Sequence, residues 1–244
     1  MAANIDYVFL CMSLNNDFNL KRMERYLTIA WDSGAVPVVV LTKADLCGDI
    51  EEKRQEIESV AFGVDILTVS LNEDVNKAVG PYLTPGKTVA FIGSSGVGKS
   101  TLINRLIGEA KIDTNGLRND DKGRHTTTHR ELIELEGGAF VIDTPGMREI
   151  GMWDSDGGID LVFAEIEELE LKCKFTDCSH TTEPGCAVLA AIKDGTLLPE
   201  RFNSYRKLKA ENAYAADGSS YLENKNKKFK EIAILNKKNK TQKR

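Results

Sequence analysis

No stretch of this chain is apolar for long enough to cross a bilayer, which takes about 20 such residues. The opening residues, MAANID, have no charged-then-apolar signal region. The protein is therefore expected to be soluble and cytoplasmic, with no membrane partner. No internal repeat is visible, which argues against a stacked-repeat fold. Cysteine is sparse, with five in 244 residues. Without a secretion signal the thiols are expected to stay reduced, which excludes a disulfide framework.

What is present suffices for a packed fold. A chain of 244 residues with 41% hydrophobic content can form one large domain, or an ordinary domain plus a small one. The net charge of −5 is unevenly spread: Tyr221 to Arg244 holds nine Lys/Arg and two Glu, leaving about −12 on the other residues. A basic tail on an acidic body suits a polyanionic partner; a solvated, partly disordered end is the other reading.

Strand-like and helix-like segments alternate. YVFLCM (7–12), VPVVVLT (36–42), VDILTVS (64–70) and KTVAFIG (87–93) read as strands. Residues 18–34, 49–63, about 73–83 and 99–108 read as helices. RELIELEGGAFVID (130–143) reads as two strands around a Gly-Gly turn, adding one antiparallel edge strand. This alternation predicts an α/β fold, with a mostly parallel sheet and helices on both faces.

Three motifs lie on that frame. Gly93-Ser94-Ser95-Gly96-Val97-Gly98-Lys99-Ser100 fits G-x-x-x-x-G-K-[ST] between a strand and a helix that continues with Thr101. Its glycines let backbone N–H groups turn inward on phosphate oxygens, Lys99 adds a positive charge, and the Ser100 hydroxyl can ligate Mg²⁺. DTPG (143–146) ends an apolar run, so Asp143 can hold Mg²⁺ through water and the Gly146 N–H can sense a γ-phosphate. The polar stretch between them, 114–130, is expected to order on binding ligand. Its Thr127 is the candidate for Mg²⁺ and the γ-phosphate, with Thr126 and Thr128 as alternatives.

The third motif precedes the others. TKAD (42–45) follows a strand: the Asp45 carboxylate can accept two hydrogen bonds from guanine, and Lys43 can lie along the base plane beside Thr42. Ser70, in the support loop at 69–71, can orient the base or Asp45. The order is thus base reader, support loop, phosphate loop, switch, DTPG, each at a strand's carboxyl end, where nucleotide sites of open sheets form. Moving the termini of an ordinary guanine-nucleotide fold gives this order.

With its GRHTTT and DTPGMRE segments, the chain resembles the circularly permuted, small-ribosomal-subunit-dependent GTPase A family (RsgA/YjeQ). The resemblance implies hydrolysis of GTP to GDP and phosphate, in late maturation of the small ribosomal subunit through contact with its rRNA. A nucleotide-gated RNA-binding module with incidental hydrolysis is the alternative. The family usually carries an N-terminal OB-type β-barrel, whereas this chain starts at the first strand of the GTPase domain.

The remaining chemistry is a metal cluster and a candidate catalyst. Cys11 and Cys47 are dispersed and read as a core residue and a loop thiol. Cys173, Cys178, His180 and Cys186 form C-x4-C-x-H-x5-C, whose three thiolates and one imidazole suit a closed, structural Zn²⁺ site. The domains expected are a permuted GTPase domain over 1–154 and a small helical zinc domain over 155–244, forming a monomer. Residues 187–197 and 200–215 read as its helices. Many small GTPases have a water-orienting Gln where this chain has Met147. His125 is the nearest substitute and the resemblance also points to it, with Lys99 neutralising developing charge. A loop histidine without catalytic duty, or a contribution from Arg124, is the alternative. Trp31, Trp153 and His129 read as packing or surface residues.

Overall fold

The computed structural model describes residues 4–70, 74–108, 131–143 and 157–216. They fall into two compact units, one within Met1–Ile150 and Asp160–Val162, the other within Gly151–Ile159 and Phe163–Arg244.

Six strands build the first unit: β1 (Tyr7–Ser13), β2 (Val36–Thr42), β3 (Asp65–Thr68), β4 (Thr88–Ile92), β5 (Glu131–Glu134) and β6 (Phe140–Asp143). Their order in the sheet is β3-β2-β1-β4-β6-β5. All neighbours run parallel except β5, which pairs antiparallel with β6 at the edge. β1 and β2 are continuous apolar runs because helices cover both faces of a parallel sheet. One face carries Phe9, Cys11, Val38, Val40, Val89, Phe91 and Val141 in a single core with Val75, Val79, Leu102 and Ile103. The alternate residues Val8, Leu10, Met12, Val39 and Leu41 are equally buried, and α1 packs against β1 and β2. Register places Phe9 opposite both Val38 and Phe91, with the two phenyl rings edge to face at 5.2 Å.

The helices of this unit are α1 (Leu20–Asp32), α2 (Ile50–Glu58), α3 (Val75–Val79) and α4 (Lys99–Ile107). Asn19 caps α1 by accepting from the Arg22 N–H. Two are shorter than their sequence pattern suggested. α2 ends at Glu58 because the Ile57 carbonyl takes the N–H groups of both Val60 and Ala61, a tight turn that buries those two side chains. α3 gives way to a 3-10 turn at Gly80–Tyr82, where Pro81 has no N–H to extend the ladder.

The described residues continue with α5 (Gly158–Val162), then α6 (Ala164–Glu170), α7 (Ala187–Asp194) and α8 (Pro199–Ala216). The sequence pattern had suggested α7 and α8 but neither α5 nor α6. In the second unit Phe163, Ile166, Val188, Phe202, Tyr205 and Leu208 form a small core. The Arg201 guanidinium, its side chain only 8% exposed, pairs with Glu165 at 2.7 Å and lies 4.3 Å over the Phe163 ring. A charge buried so deeply needs both partners.

Candidate functional site

The chain leaves β1 toward β2 on one side and β4 toward β6 on the other. Between β1 and β4 the winding direction reverses, and there an open α/β sheet leaves a crevice at the strands' carboxyl ends. The loops after β1, β2, β3 and β4 gather at that end.

The loop after β4 is the phosphate-loop motif. A side chain at Gly93 would place Cβ 2.6 Å from the Cys11 carbonyl oxygen of β1, so only glycine fits. Gly96 and Gly98 turn the loop at φ +77° and +109°, in the left-handed region. Lys99 is 6% exposed, and its ammonium donates to the Gly93 and Ser94 carbonyls at 2.7 and 2.9 Å. Of its three N–H groups, one is left to meet an anion. Burial pulls the Lys99 pKa below its ordinary value, opposed by the negative charge of Asp143. Burial also pushes the Cys11 thiol up to about 12, so it stays neutral. Ser100 and Thr101 open α4, whose first N–H groups have no acceptor within the helix.

The base-reader loop reaches this backbone from β2. Thr42 Oγ1 donates to the Val97 carbonyl at 2.6 Å, and Lys43 Nζ to the Gly96 carbonyl at 2.7 Å. Lys43 stands in the left-handed region, φ +60°, which turns the chain into the 3-10 turn Ala44–Leu46. The support loop meets the reader through the Ala44 N–H on the Val69 carbonyl, 3.3 Å, and Ser70 Oγ on Asp45 Oδ1, 3.3 Å. Thr42, Lys43, Val69, Ser70, Thr101 and Arg105 help line an open pocket of about 420 Å³, counted out to its mouth.

Asp143 ends β6 opposite Phe91 of β4, within electrostatic reach of Lys99. Arg124, His125, Thr126, Thr127, Thr128, His129, Gly146, Met147, Trp153 and the basic tail lie outside the described residues.

In the second unit one ligand atom from each of Cys173, Cys178, His180 and Cys186 lies within 4.8 Å of all the others. Cys173 and Cys186 sulfurs are 3.9 Å apart, and His180 Nδ1 is 3.6 and 3.3 Å from them. A tetrahedron with bonds of about 2.3 Å has edges of about 3.8 Å, so the four residues could hold a metal ion with little movement. The Ala187 and Leu189 N–H groups point at the Cys173 and Cys186 sulfurs, each at 3.4 Å, as donors to thiolates would. Burial raises the Cys173 pKa, but the Ala187 and Val188 N–H groups outweigh it and leave the thiol below its ordinary value. Burial pushes Cys178 up to about 11. Cys11 and Cys47 stand apart from the cluster.

The RsgA GTPase family model matches residues 1–153. The chain belongs to the RsgA GTPase family. It is 56% identical over 225 residues to a small ribosomal subunit biogenesis GTPase RsgA 2 of Lactiplantibacillus plantarum, covering 91% of this chain and 63% of the relative. Its identity to a Listeria monocytogenes protein of that name is 51% over 222 residues, 90% of this chain and 64% of that one. The chain therefore spans a little under two thirds of the length of these relatives. Among solved structures it resembles YjeQ from Thermotoga maritima, with a TM-score of 0.59 at 28% identity over 86% of this chain and 72% of that one. A second likeness is YloQ, described as a circularly permuted GTPase, with a TM-score of 0.59 at 27% identity, covering 86% and 69%. The fold is accordingly a circularly permuted α/β GTPase fold. Counted from the phosphate-loop strand, the sheet order reads 2-3-1-4-5-6, with the chain's ends cut between the third strand and the fourth.

Within this RsgA fold, two residues that the sequence motifs did not single out touch the phosphate loop. Ser94, buried, donates from Oγ to Asp17 Oδ2. Arg22 Nη1 donates to Ser94 Oγ at 3.3 Å and pairs with Asp17 at 2.9 Å. Asp17 follows β1 and Arg22 lies in the first turn of α1, on the other side of the crevice. The polar NND run (15–17) at a strand's carboxyl end was the available signal. Arg105 was missed as well; its Nη1 donates to the Ser70 carbonyl at 3.4 Å, at the pocket wall.

Proposed function

We propose that the chain is a GTP-hydrolysing switch acting in the cytoplasm on the small ribosomal subunit and its rRNA, in late maturation. The observation that carries this reading is the pair of hydrogen bonds from Thr42 and Lys43 to the Val97 and Gly96 carbonyls. They join a guanine-reading loop to a phosphate loop more than fifty residues further along, as one continuous nucleotide site needs. The relatives' names point the same way.

In this reading Asp45 accepts from the guanine ring and Ser70 holds Asp45 in place. The stem of Lys43 lies along the base. N–H groups from Ser94 to Thr101 cradle the phosphates, and the remaining Lys99 N–H reaches an outer phosphate oxygen. Ser100, Asp143 and Thr127 would hold Mg²⁺, which neutralises phosphate charge when bound. The Gly146 N–H senses the γ-phosphate. His125 orients the attacking water in place of the glutamine that Met147 replaces. The Cys173–Cys178–His180–Cys186 cluster holds one structural Zn²⁺, and the basic tail adds salt-sensitive affinity for RNA. The chain works as a monomer with two domains, 1–154 and 155–244. Among the described residues no helix is long and apolar enough to cross a membrane.

The test is multiple-turnover GTP hydrolysis with and without purified small ribosomal subunits. Turnover that rises several-fold with subunits supports the switch. Nucleotide-dependent subunit binding with no rise favours an RNA-binding module in which hydrolysis is incidental, a reading that Met147 also suits. Absence of guanine-nucleotide binding overturns both.

A further inference from the structure

His180 presents Nδ1 to the sulfurs, so its outward nitrogen is Nε2. That atom lies 3.1 Å from Glu170 Oε1, with the two side chains 11% and 26% exposed. Glu170 is the last residue of α6, and its own carbonyl accepts the Cys173 N–H at 3.2 Å, so the helix end sits directly over the cluster. Across the imidazole, the Phe202 ring meets it edge-on at 6.1 Å. His180 has φ +53°, so its backbone offers little slack of its own. The second Glu170 oxygen lies 3.8 Å from Lys209 Nζ, which pairs more closely with Glu167 at 2.7 Å.

We infer that Glu170 is a positioning residue for the metal: it accepts the Nε2–H of His180, fixes the tautomer that leaves the Nδ1 lone pair facing the three sulfurs, and holds the ring at that angle. The inference rests on the reading of the four residues as a Zn²⁺ site. The physical reason is that an imidazole has two nitrogens and one proton in its neutral form. A carboxylate on Nε2 selects where that proton sits, and its charge makes the other nitrogen a better donor to the cation. A free ring would have to be oriented at the moment of binding. No spacing rule in the sequence marks Glu170, because the contact depends on where α6 ends relative to a loop several residues later.

The experiment is competition for Zn²⁺ between the full chain and a chromophoric chelator. Glu170→Leu should weaken Zn²⁺ affinity by about 10–100-fold. Glu170→Gln, which keeps an acceptor oxygen but loses the charge, should fall between that variant and the parent, and it serves if the leucine variant does not fold. Glu168→Leu changes an exposed neighbour on α6 and should leave affinity within about twofold of the parent. Lys209→Met separates positioning from the ammonium contact: it removes the Lys209 pairs with Glu167 and Glu170, while Arg201 and Tyr205 still tie α8 to α6, and it leaves the His180–Glu170 contact, so affinity should stay near the parent's. Affinity in Glu170→Gln and Glu170→Leu equal to the parent's overturns the inference and leaves the Zn²⁺ site standing. A loss in Lys209→Met as large as in Glu170→Leu also overturns it, assigning the role of Glu170 to its contact with Lys209 rather than to His180. A parent chain that takes up no Zn²⁺ removes the metal reading itself.

Discussion

Replacing Gly93 by alanine adds one methyl group where the sheet leaves no room for it. The new carbon would stand 2.6 Å from the Cys11 carbonyl oxygen and 3.1 Å from both Cys11 Cβ and Val97 Cγ1. Gly93 has no left-handed φ, so the whole cost is steric. Overpacking costs about 1–3 kcal/mol, and the upper end applies because the atom struck is backbone in a central strand rather than a flexible side-chain tip. At 2–4 °C per kcal/mol for a unit of about 150 residues, melting should fall by roughly 6–12 °C. Gly96→Ala is the matched control: φ is +77° but no atom lies within 4 Å, so only left-handed strain applies. That strain is about 1–2 kcal/mol, or roughly 2–8 °C. The two variants should also differ in binding. The Gly93 carbonyl holds Lys99 Nζ, so shifting it should raise the Kd for GDP about tenfold, a loss of about 1.4 kcal/mol. Thermal melting without nucleotide and calorimetric titration with GDP read both effects. A Gly93→Ala chain that melts no lower than Gly96→Ala and binds GDP as the parent does would refute the close approach as the reason for glycine there.

Asp45→Asn trades a carboxylate for an amide with one donor and one acceptor. It should weaken GTP about 10–100-fold and admit xanthosine triphosphate, whose 2-oxo group can accept the new donor; equal GTP affinity in a titration removes Asp45 from base reading. Cys178→Ser should lower Zn content below about one per chain by elemental analysis and loosen residues 164–216 in hydrogen exchange. GDP affinity should stay near the parent's, and full Zn content in the variant counts against Cys178 as a ligand. The Asp17 carboxylate is raised by burial, but hydrogen bonds from Ser94 and Arg22 outweigh this and hold its pKa below the ordinary value. Its contribution to stability is therefore complete above the unfolded pKa of about 4 and is lost as pH falls through the lower folded value. Asp17→Asn should lower the melting temperature by a near-constant amount above about pH 5 and converge on the parent's curve in acid, which flattens the acid limb; a variant that melts with the parent at neutral pH and keeps the full acid limb separates Asp17 from the loop's stability.

The chemistry and its order along the chain were legible from residue spacing alone. A strand followed by GSSGVGKS, a TKAD ahead of it and three cysteines with a histidine are local patterns, because the spacing each needs is set within one turn or loop. The alternation of apolar runs and helical periods likewise made a parallel sheet with one antiparallel edge legible, since each period depends only on neighbouring residues. Where a local signal was passed over, as at Pro81, the helix expected over about 73–83 broke into α3 and a 3-10 turn. Which of these residues meet depends on how the strands and helices pack. Gly93 has to be glycine because β4 lies beside β1, Asp17 and Arg22 reach Ser94 because both loops open on the same crevice, and Glu170 meets His180 because α6 ends over the cluster. The Arg22–Ser94 contact joins residues 72 positions apart. Sequence states which donors and acceptors exist, but a hydrogen bond forms only within about 3 Å, and in a chain of this length that proximity is set by strand order rather than by position along the backbone.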